Sequence, residues 1–188
     1  MRKRVVAVLS AVAVASATGI AYAAFTAVAS NAGNSISSAT VEIGDNDGGS
    51  AMLSLANATP GSSDASCIRV NYTGSLNSTV RLYGTVTGTA APHLILTVTR
   101  GTDSSPSFDS CASFTADATD HVGAGAGVIW SGLLSTFPST WAGGVVDPAA
   151  SWSTSEAHSY RFVVSPVDRA AAEGLSSTFA PSWEARNT

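Results

Sequence analysis

Residues 67–73 read CIRVNYT, and apolar and polar side chains alternate along this stretch. Its apolar face carries Ile68, Val70 and Tyr72, which is the period of two that a half-buried β-strand requires. After a Gly-Ser-Leu-Asn turn signal, the alternation returns in residues 79–87, TVRLYGTVT. The two stretches therefore predict a pair of neighbouring strands.

Six further segments have strand patterns and are separated by Gly, Pro, Asn and Asp. These segments are residues 39–43, 51–55, 94–100, 127–130, 158–164 and 177–184. About eight or nine short strands without a long helical period predict an all-β fold, an antiparallel β-sandwich. Residues 131–141 and 168–173 are expected to form only short helical turns. Residues 101–126 are poor in large apolar groups, which predicts a long surface connection.

The beginning of the chain has the pattern of an export signal. Three basic residues follow the initial methionine and precede an apolar run of sixteen residues, 5–20. A membrane-spanning helix needs about 20 apolar residues, so the run is short for a span. Small residues around the junction of Ala23, Ala24 and Phe25 predict cleavage there. Residues 1–24 are therefore expected to be a signal peptide, and the exported chain to have no membrane span.

Composition narrows the class of protein further. The chain has 188 residues, of which 45% are hydrophobic and 12% charged, and its net charge is −4. This length fits one globular domain. Three of the nine positive residues belong to the signal segment, so the remaining chain is acidic and lacks the basic patch that nucleic-acid binding requires. Both cysteines, Cys67 and Cys111, lie in the exported part, and an even number favours a disulfide.

Few residues suit catalysis or metal binding. The histidines are His93, His121 and His158, and none has a partner at metal-ligand spacing or belongs to an H-E-x-x-H motif. We interpret His158, at the start of a strand pattern, as a packed or surface residue. Asp45 and Asp47 belong to an Asx-rich turn without the closing glutamate of an EF-hand, so a hairpin turn is favoured over calcium binding. The sequence thus predicts a protein that is not an enzyme and holds no cofactor.

The four tryptophans occupy the second half of the chain. Phe162 and Trp183 alternate in phase with apolar neighbours, which predicts that they lie in the core. Trp141 and Trp152 lie in loop-like surroundings and are the two rings that an exposed carbohydrate-binding platform would use.

Several motifs together resemble the TasA and camelysin family of exported proteins. Residues 19–26, GIAYAAFT, are similar to the junctions cut by the SipW-type signal peptidase. Weaker similarities to the turn, strand-pair and closing-hairpin motifs of the family occur further along. They lie in residues 35–43, 53–61, 68–76, 80–83, 159–164, 174–179 and 183–185.

This resemblance implies a jelly-roll sandwich over residues 35–188 and a secreted or cell-surface protein that assembles into biofilm-matrix or surface fibres. In family members that polymerise, an N-terminal segment of one subunit adds as a strand to the sheet of the next, which is β-augmentation. Here that segment is residues 25–34, and its predicted donor strand begins at the cleavage junction. The donor-strand residues are Phe25, Thr26, Ala27, Val28 and Ala29. A disordered tail is the alternative interpretation of this segment.

We therefore expect this protein to be a non-catalytic structural subunit that self-associates. Other matrix or cell-surface proteins are further candidate partners. One alternative is a small carbohydrate- or surface-binding module that uses Trp141 and Trp152. Another is a camelysin-like metallopeptidase, for which the sequence supplies no recognisable metal-binding triad.

Overall fold

A computed structural model describes residues 26–30, 34–35, 41, 43–50, 53, 62–167 and 174–187. Within this part of the chain, eleven strands form two antiparallel sheets, and the helical content is limited to three single 3₁₀ turns. The predicted all-β sandwich is confirmed at this level, with more strands than the eight or nine expected. The finer jelly-roll topology stays a prediction.

The first sheet contains five strands. They are β1 (Thr26–Ser30), β2 (Asn34–Ser35), β5 (Ser78–Gly88), β9 (Val145–Val146) and β11 (Ser177–Asn187). Their order across the sheet is β2-β1-β11-β5-β9. The long pair of β5 and β11 therefore forms its centre.

The second sheet contains the other six strands. They are β3 (Ile43–Asp45), β4 (Asp64–Tyr72), β6 (Leu94–Asp103), β7 (Phe114–Ala116), β8 (Val128–Leu133) and β10 (Ala157–Pro166). Their order is β3-β4-β10-β6, and both β7 and β8 pair with the remaining edge of β6. The 3₁₀ turns are Ala91–His93, Leu134–Thr136 and Trp141–Gly143.

The prediction that residues 67–73 and 79–87 are neighbouring strands was wrong. They correspond to β4 and β5, which lie in different sheets. The connection between them crosses from one sheet to the other. Tyr72 anchors this connection, because its hydroxyl group donates to the Leu76 carbonyl and lies 2.9 Å from Ser78 Oγ. Of the strand predicted at residues 51–55, the structure describes only Leu53, and the helical turn predicted at 168–173 lies outside the described residues.

The core lies between the inner faces of the two sheets and is rich in aromatic rings. The predicted core residues Phe162 and Trp183 are confirmed, since both are fully buried. Their rings meet edge to face with centroids 5.9 Å apart, and Tyr160 lies 5.3 Å from Trp183. Such pairs add stabilisation beyond their buried area, of about 0.5–1.5 kcal/mol each.

The predicted disulfide is confirmed. Cys67 on β4 is joined to Cys111, with the two Cα atoms 5.1 Å apart and a sequence separation of 44. The backbone of Cys67 also exchanges two hydrogen bonds with Asp109, at 3.3 and 3.2 Å. The largely exposed connection after β6 is thereby fastened to the second sheet. In the described part of the chain, no helix has the length and apolar character to span a membrane.

Candidate functional site

The pairing of β1 with β11 is the feature most closely related to the predicted donor strand, and we call it the N-terminal seam. It is antiparallel and comprises five residue pairs, from Thr26 opposite Arg186 to Ser30 opposite Ser182. Among the described residues, the two-residue strand β2 is what lies beyond β1 in the sheet. The first described segment of the chain thus covers an edge of β11 whose other edge is fully occupied by β5.

Most of the predicted donor strand lies in this seam. Thr26, Ala27, Val28 and Ala29 belong to β1, and their acceptor here is β11 of the same chain. Phe25 lies outside the described residues, as do the predicted cleavage residues Ala23 and Ala24. A strand, rather than a disordered tail, therefore occupies residues 26–30.

The acceptor strand β11 combines a core face with an unusual polar face. Trp183 and Ala185 point into the core and are fully buried, as the alternation of the strand requires. Glu184 lies on the opposite face, yet only 4% of its surface is exposed. In the register, Glu184 stands opposite Val28, so the residue that carries this buried carboxylate pairs with β1.

Two neighbours, Tyr83 and Arg186, hold the Glu184 carboxylate, and with Trp141 and Arg81 they form the Glu184 cluster. Tyr83 donates its hydroxyl proton to Oε2 at 2.7 Å, and Arg186 Nε lies 2.7 Å from Oε1. The Arg186 guanidinium lies 4.4 Å above the Trp141 ring, and that of Arg81 lies 5.2 Å from the same ring. Burial, followed by the hydrogen bond to Glu184, raises the pKa of Tyr83 to about 12. The tyrosine therefore remains a proton donor at neutral pH.

The two-ring tryptophan platform was a wrong prediction. Trp152 is fully buried, because its indole N–H donates to Asp147 at 3.0 Å and its backbone exchanges two hydrogen bonds with Ser78. The half-buried Trp141 is stacked against the arginines of the Glu184 cluster. The two rings consequently cannot bind one sugar chain together.

A second group of polar side chains, the Asp147 cluster, lies inside the sandwich. Asp147 follows β9, and its carboxylate accepts hydrogen bonds from Trp152 and from the Tyr160 hydroxyl, the latter at 2.6 Å. Arg100 on β6 places Nε 3.0 Å from Asp147 Oδ2 and also pairs with Asp117. Burial, and then the neighbouring Asp147, raise the pKa of Tyr160 well above its ordinary value. The cluster therefore links an edge of the first sheet to two strands of the second.

His158 is packed against this cluster, which agrees with its interpretation as a packed residue. Arg100 Nη2 lies 2.9 Å from both ring nitrogens, and His158 Nε2 lies 2.9 Å from Glu156 Oε1. The ring also meets Trp152 edge to face, with centroids 4.6 Å apart. The interior gap bordered by Asp147 and Tyr160 is too small for a water molecule. The geometry of the Asp147 cluster therefore suits a role in holding the two sheets together better than a role in binding a substrate.

The remaining candidate residues are not brought together. His93 ends a 3₁₀ turn and accepts the Val167 amide through its carbonyl at 2.9 Å, whereas His121 lies in an exposed loop. Asp45 and Asp47 accept backbone amides two residues ahead, at 3.2 and 2.7 Å, which confirms the Asx-rich turn. Across the described ranges, no three His, Cys, Asp or Glu side chains are grouped so as to hold a metal ion.

Sequence reasoning did not single out Glu184, Tyr83, Arg100 or Asp147. The one available signal was for Asp147, which is the first charged residue after an uncharged stretch that begins beyond Asp120. Glu184 had none, because a carboxylate between two core residues of a strand ordinarily faces solvent.

No protein-family model, curated protein or solved structure matches the chain.

Proposed function

We propose that this protein is an exported, non-catalytic structural subunit that assembles into extracellular or cell-surface fibres by exchanging β1 between copies. The observation that supports this proposal is the N-terminal seam, in which the first described strand, β1, pairs with β11. In a fibre, β1 of each subunit would occupy this position on the next subunit, in the same register.

The main-chain geometry of the seam supports such an exchange. Backbone hydrogen bonds between β1 and β11 are the same whether the two strands belong to one chain or to two. Exchange of an identical element is a low-cost route to association, because the closed and exchanged forms make equal contacts. The remaining cost is the lost translational and rotational freedom, about 4–15 kcal/mol at the 1 M standard state. Assembly is therefore expected to depend steeply on concentration.

The position of β1 in the sheet also favours exchange. β11 is paired with β5 over its whole length, whereas the described strand beyond β1, β2, is two residues long. Removal of β1 would leave the backbone groups of residues 182–186 unpaired along one edge of β11. An uncovered edge of this kind is a template for an incoming strand.

Cysteine trapping tests the proposal, because Ala27 and Ala185 lie directly opposite each other in the seam. We would prepare the Ala27→Cys/Ala185→Cys variant of residues 25–188, incubate it at high concentration and oxidise it only afterwards. Exchanged strands are expected to give a ladder of covalent oligomers on a non-reducing gel, together with fibres in negative-stain electron micrographs. Closed monomers would give only an internal cross-link and a single monomer band.

The Ala29→Cys/Ala185→Cys variant is the matched control. Ala29 pairs with Trp183 instead, so its Cα is displaced by two residues from Ala185. Diagonal neighbours in a sheet are about 7–8 Å apart, too far for an unstrained disulfide. A ladder from both variants, or fibres without a ladder from the first, would contradict exchange in this register.

A further inference from the structure

The edges of the two sheets differ greatly in length. β2 and β9 have two residues each, and β3 and β7 have three each. The third strand at the margins of the second sheet, β8, has six residues. Natural proteins keep edge strands short or protect them with charged residues and proline. Among the described strands at the margins of the sheets, β8 is therefore the longest.

β8 lacks two of the usual protections, charged residues and proline, and its one bulge, at Ile129, leaves residues 130–133 in regular register with β6. It reads VIWSGL, and the surrounding sequence from His121 to Val146 contains no Asp, Glu, Lys or Arg. In the described part of the chain, its strand partner is β6, on one side only. Beyond that ladder, the described contacts of its backbone are the Val128 amide with the Gly125 carbonyl and the Leu133 carbonyl with Thr136 Oγ1. An antiparallel strand directs alternate backbone groups away from its neighbour, so β8 presents amide and carbonyl groups at the open edge.

We propose that β8 is a docking edge for a second copy of this chain, with the two β8 strands paired antiparallel about a two-fold axis. Such pairing is self-complementary, because each copy presents the same strand to the other. Antiparallel pairing of two copies also places side chains of the same strand across from each other. Like charges in such a strand would repel one another, which destabilises the pair. An uncharged strand escapes this penalty, whereas β3 ends at Asp45 and would bring carboxylates together.

The side chains of β8 suit this partner. Ser131 and Leu133 are exposed on the outer face, where they stand opposite Thr97 and Ile95 of β6. Leu133 is 38% exposed, so apolar surface remains to be buried by a neighbouring strand. On the inner side, the half-buried Trp130 meets Phe137 edge to face with centroids 4.8 Å apart, which gives the strand a firm support.

This docking edge is separate from the N-terminal seam and does not depend on the proposed strand exchange. β8 lies at the margin of the second sheet opposite β3, whereas β1 belongs to the first sheet and contacts β3. Both modes can consequently operate in one molecule. Exchange of β1 would join subunits in a row, and β8 pairing would join two rows side by side.

The test uses the closed monomer, so that strand exchange cannot contribute. We would isolate the internally cross-linked Ala27→Cys/Ala185→Cys chain and follow its sedimentation velocity from dilute solution up to its solubility limit. A reversible monomer–dimer equilibrium is expected. Ser131→Lys places two ammonium groups near the two-fold axis and is expected to raise the dissociation constant at least about tenfold, or about 1.4 kcal/mol. Ser139→Lys, an equally exposed substitution in the same uncharged stretch but outside β8, is the matched control and should leave it unchanged.

Amide hydrogen exchange supplies a second readout that does not rely on a variant. Exchange in residues 128–133 is expected to slow as the concentration rises, while exchange in β3 stays constant. A closed chain that remains monomeric up to its solubility limit would overturn the proposal. A dimer that tolerates Ser131→Lys, or one that both lysine variants abolish equally, would do the same. Failure of the cysteine ladder alongside a β8 dimer would refute strand exchange and leave this inference standing.

Discussion

Replacement of Asp147 tests whether the Asp147 cluster holds the two sheets together. The side chain of Asp147 is 2% exposed, and that of its partner Arg100 is 11% exposed. In Asp147→Ala, Trp152 and Tyr160 lose their acceptor, which costs about 1–3 kcal/mol for each buried donor left unsatisfied. Breaking one partner out of a buried ion pair costs about 3–5 kcal/mol.

These losses overlap, because Arg100 retains its second carboxylate partner, Asp117. We therefore expect Asp147→Ala to lower the free energy of unfolding by about 5 kcal/mol. This is comparable to the whole stability of many domains, about 5–15 kcal/mol. Asp147→Asn keeps an oxygen that can accept from Trp152 but loses the charge, so its cost should be about 2–3 kcal/mol.

Urea denaturation followed by circular dichroism would measure these differences. Asp117→Asn is the matched control, because this partner of Arg100 is 23% exposed. Its loss should be about 1 kcal/mol or less, as for a pair that water screens in part. The reasoning is refuted if Asp147→Ala costs less than about 1 kcal/mol, or if Asp117→Asn costs as much as Asp147→Ala.

Two further predictions concern pH and the disulfide. Burial and a neighbouring carboxylate raise the pKa of Asp45 from 3.8 to about 6, so the folded chain binds this proton more tightly and stability falls as pH rises through that interval. Since Asp45 is half-exposed, Asp45→Asn should be more stable than the wild type by only about 1 kcal/mol at pH 7, and the difference should vanish near pH 4. Urea denaturation at both pH values would measure it. A difference in the free energy of unfolding that does not vary with pH would contradict this prediction. Loss of the disulfide in Cys67→Ala/Cys111→Ala, which frees a loop of 44 positions, should cost about 4 kcal/mol by the chain-entropy relation, and a loss below about 1 kcal/mol would show that the loop is ordered without it.

The strands that sequence reasoning located are those whose pattern is local. Residues 158–164 and 177–184 correspond to β10 and β11, because period-two alternation directly reports which side chains face a core. β7 and β9, with three and two residues, are too short to show any period. They exist because longer strands offer them an edge to pair with.

Part of the candidate site was also accessible from sequence. An apolar, proline-free segment after the predicted cleavage junction indicated a strand, and residues 26–30 form one. Its partner β11 lies more than 150 positions away, with Ala27 opposite Ala185. No local pattern specifies a pairing over that distance, since the free energy comes from closing the whole sandwich.

The burial of Trp152 shows the same limit for single residues. Its neighbours in sequence are typical of a loop. Trp152 is nevertheless held in the core by hydrogen bonds to the carboxylate of Asp147 and to the backbone of Ser78. The partners that decide its position come from different elements of the fold.

The sequence by itself determined the all-β class, the core faces of the long strands and the cysteines that pair, because these follow from alternation, composition and count. Only the tertiary structure decided that β4 and β5 belong to different sheets, that Glu184 is buried on the strand that pairs with β1, and that no other described strand covers the outer edge of β8. Those outcomes depend on which distant segments meet, and hydrogen bonding and packing select such partners only when all the strands are assembled.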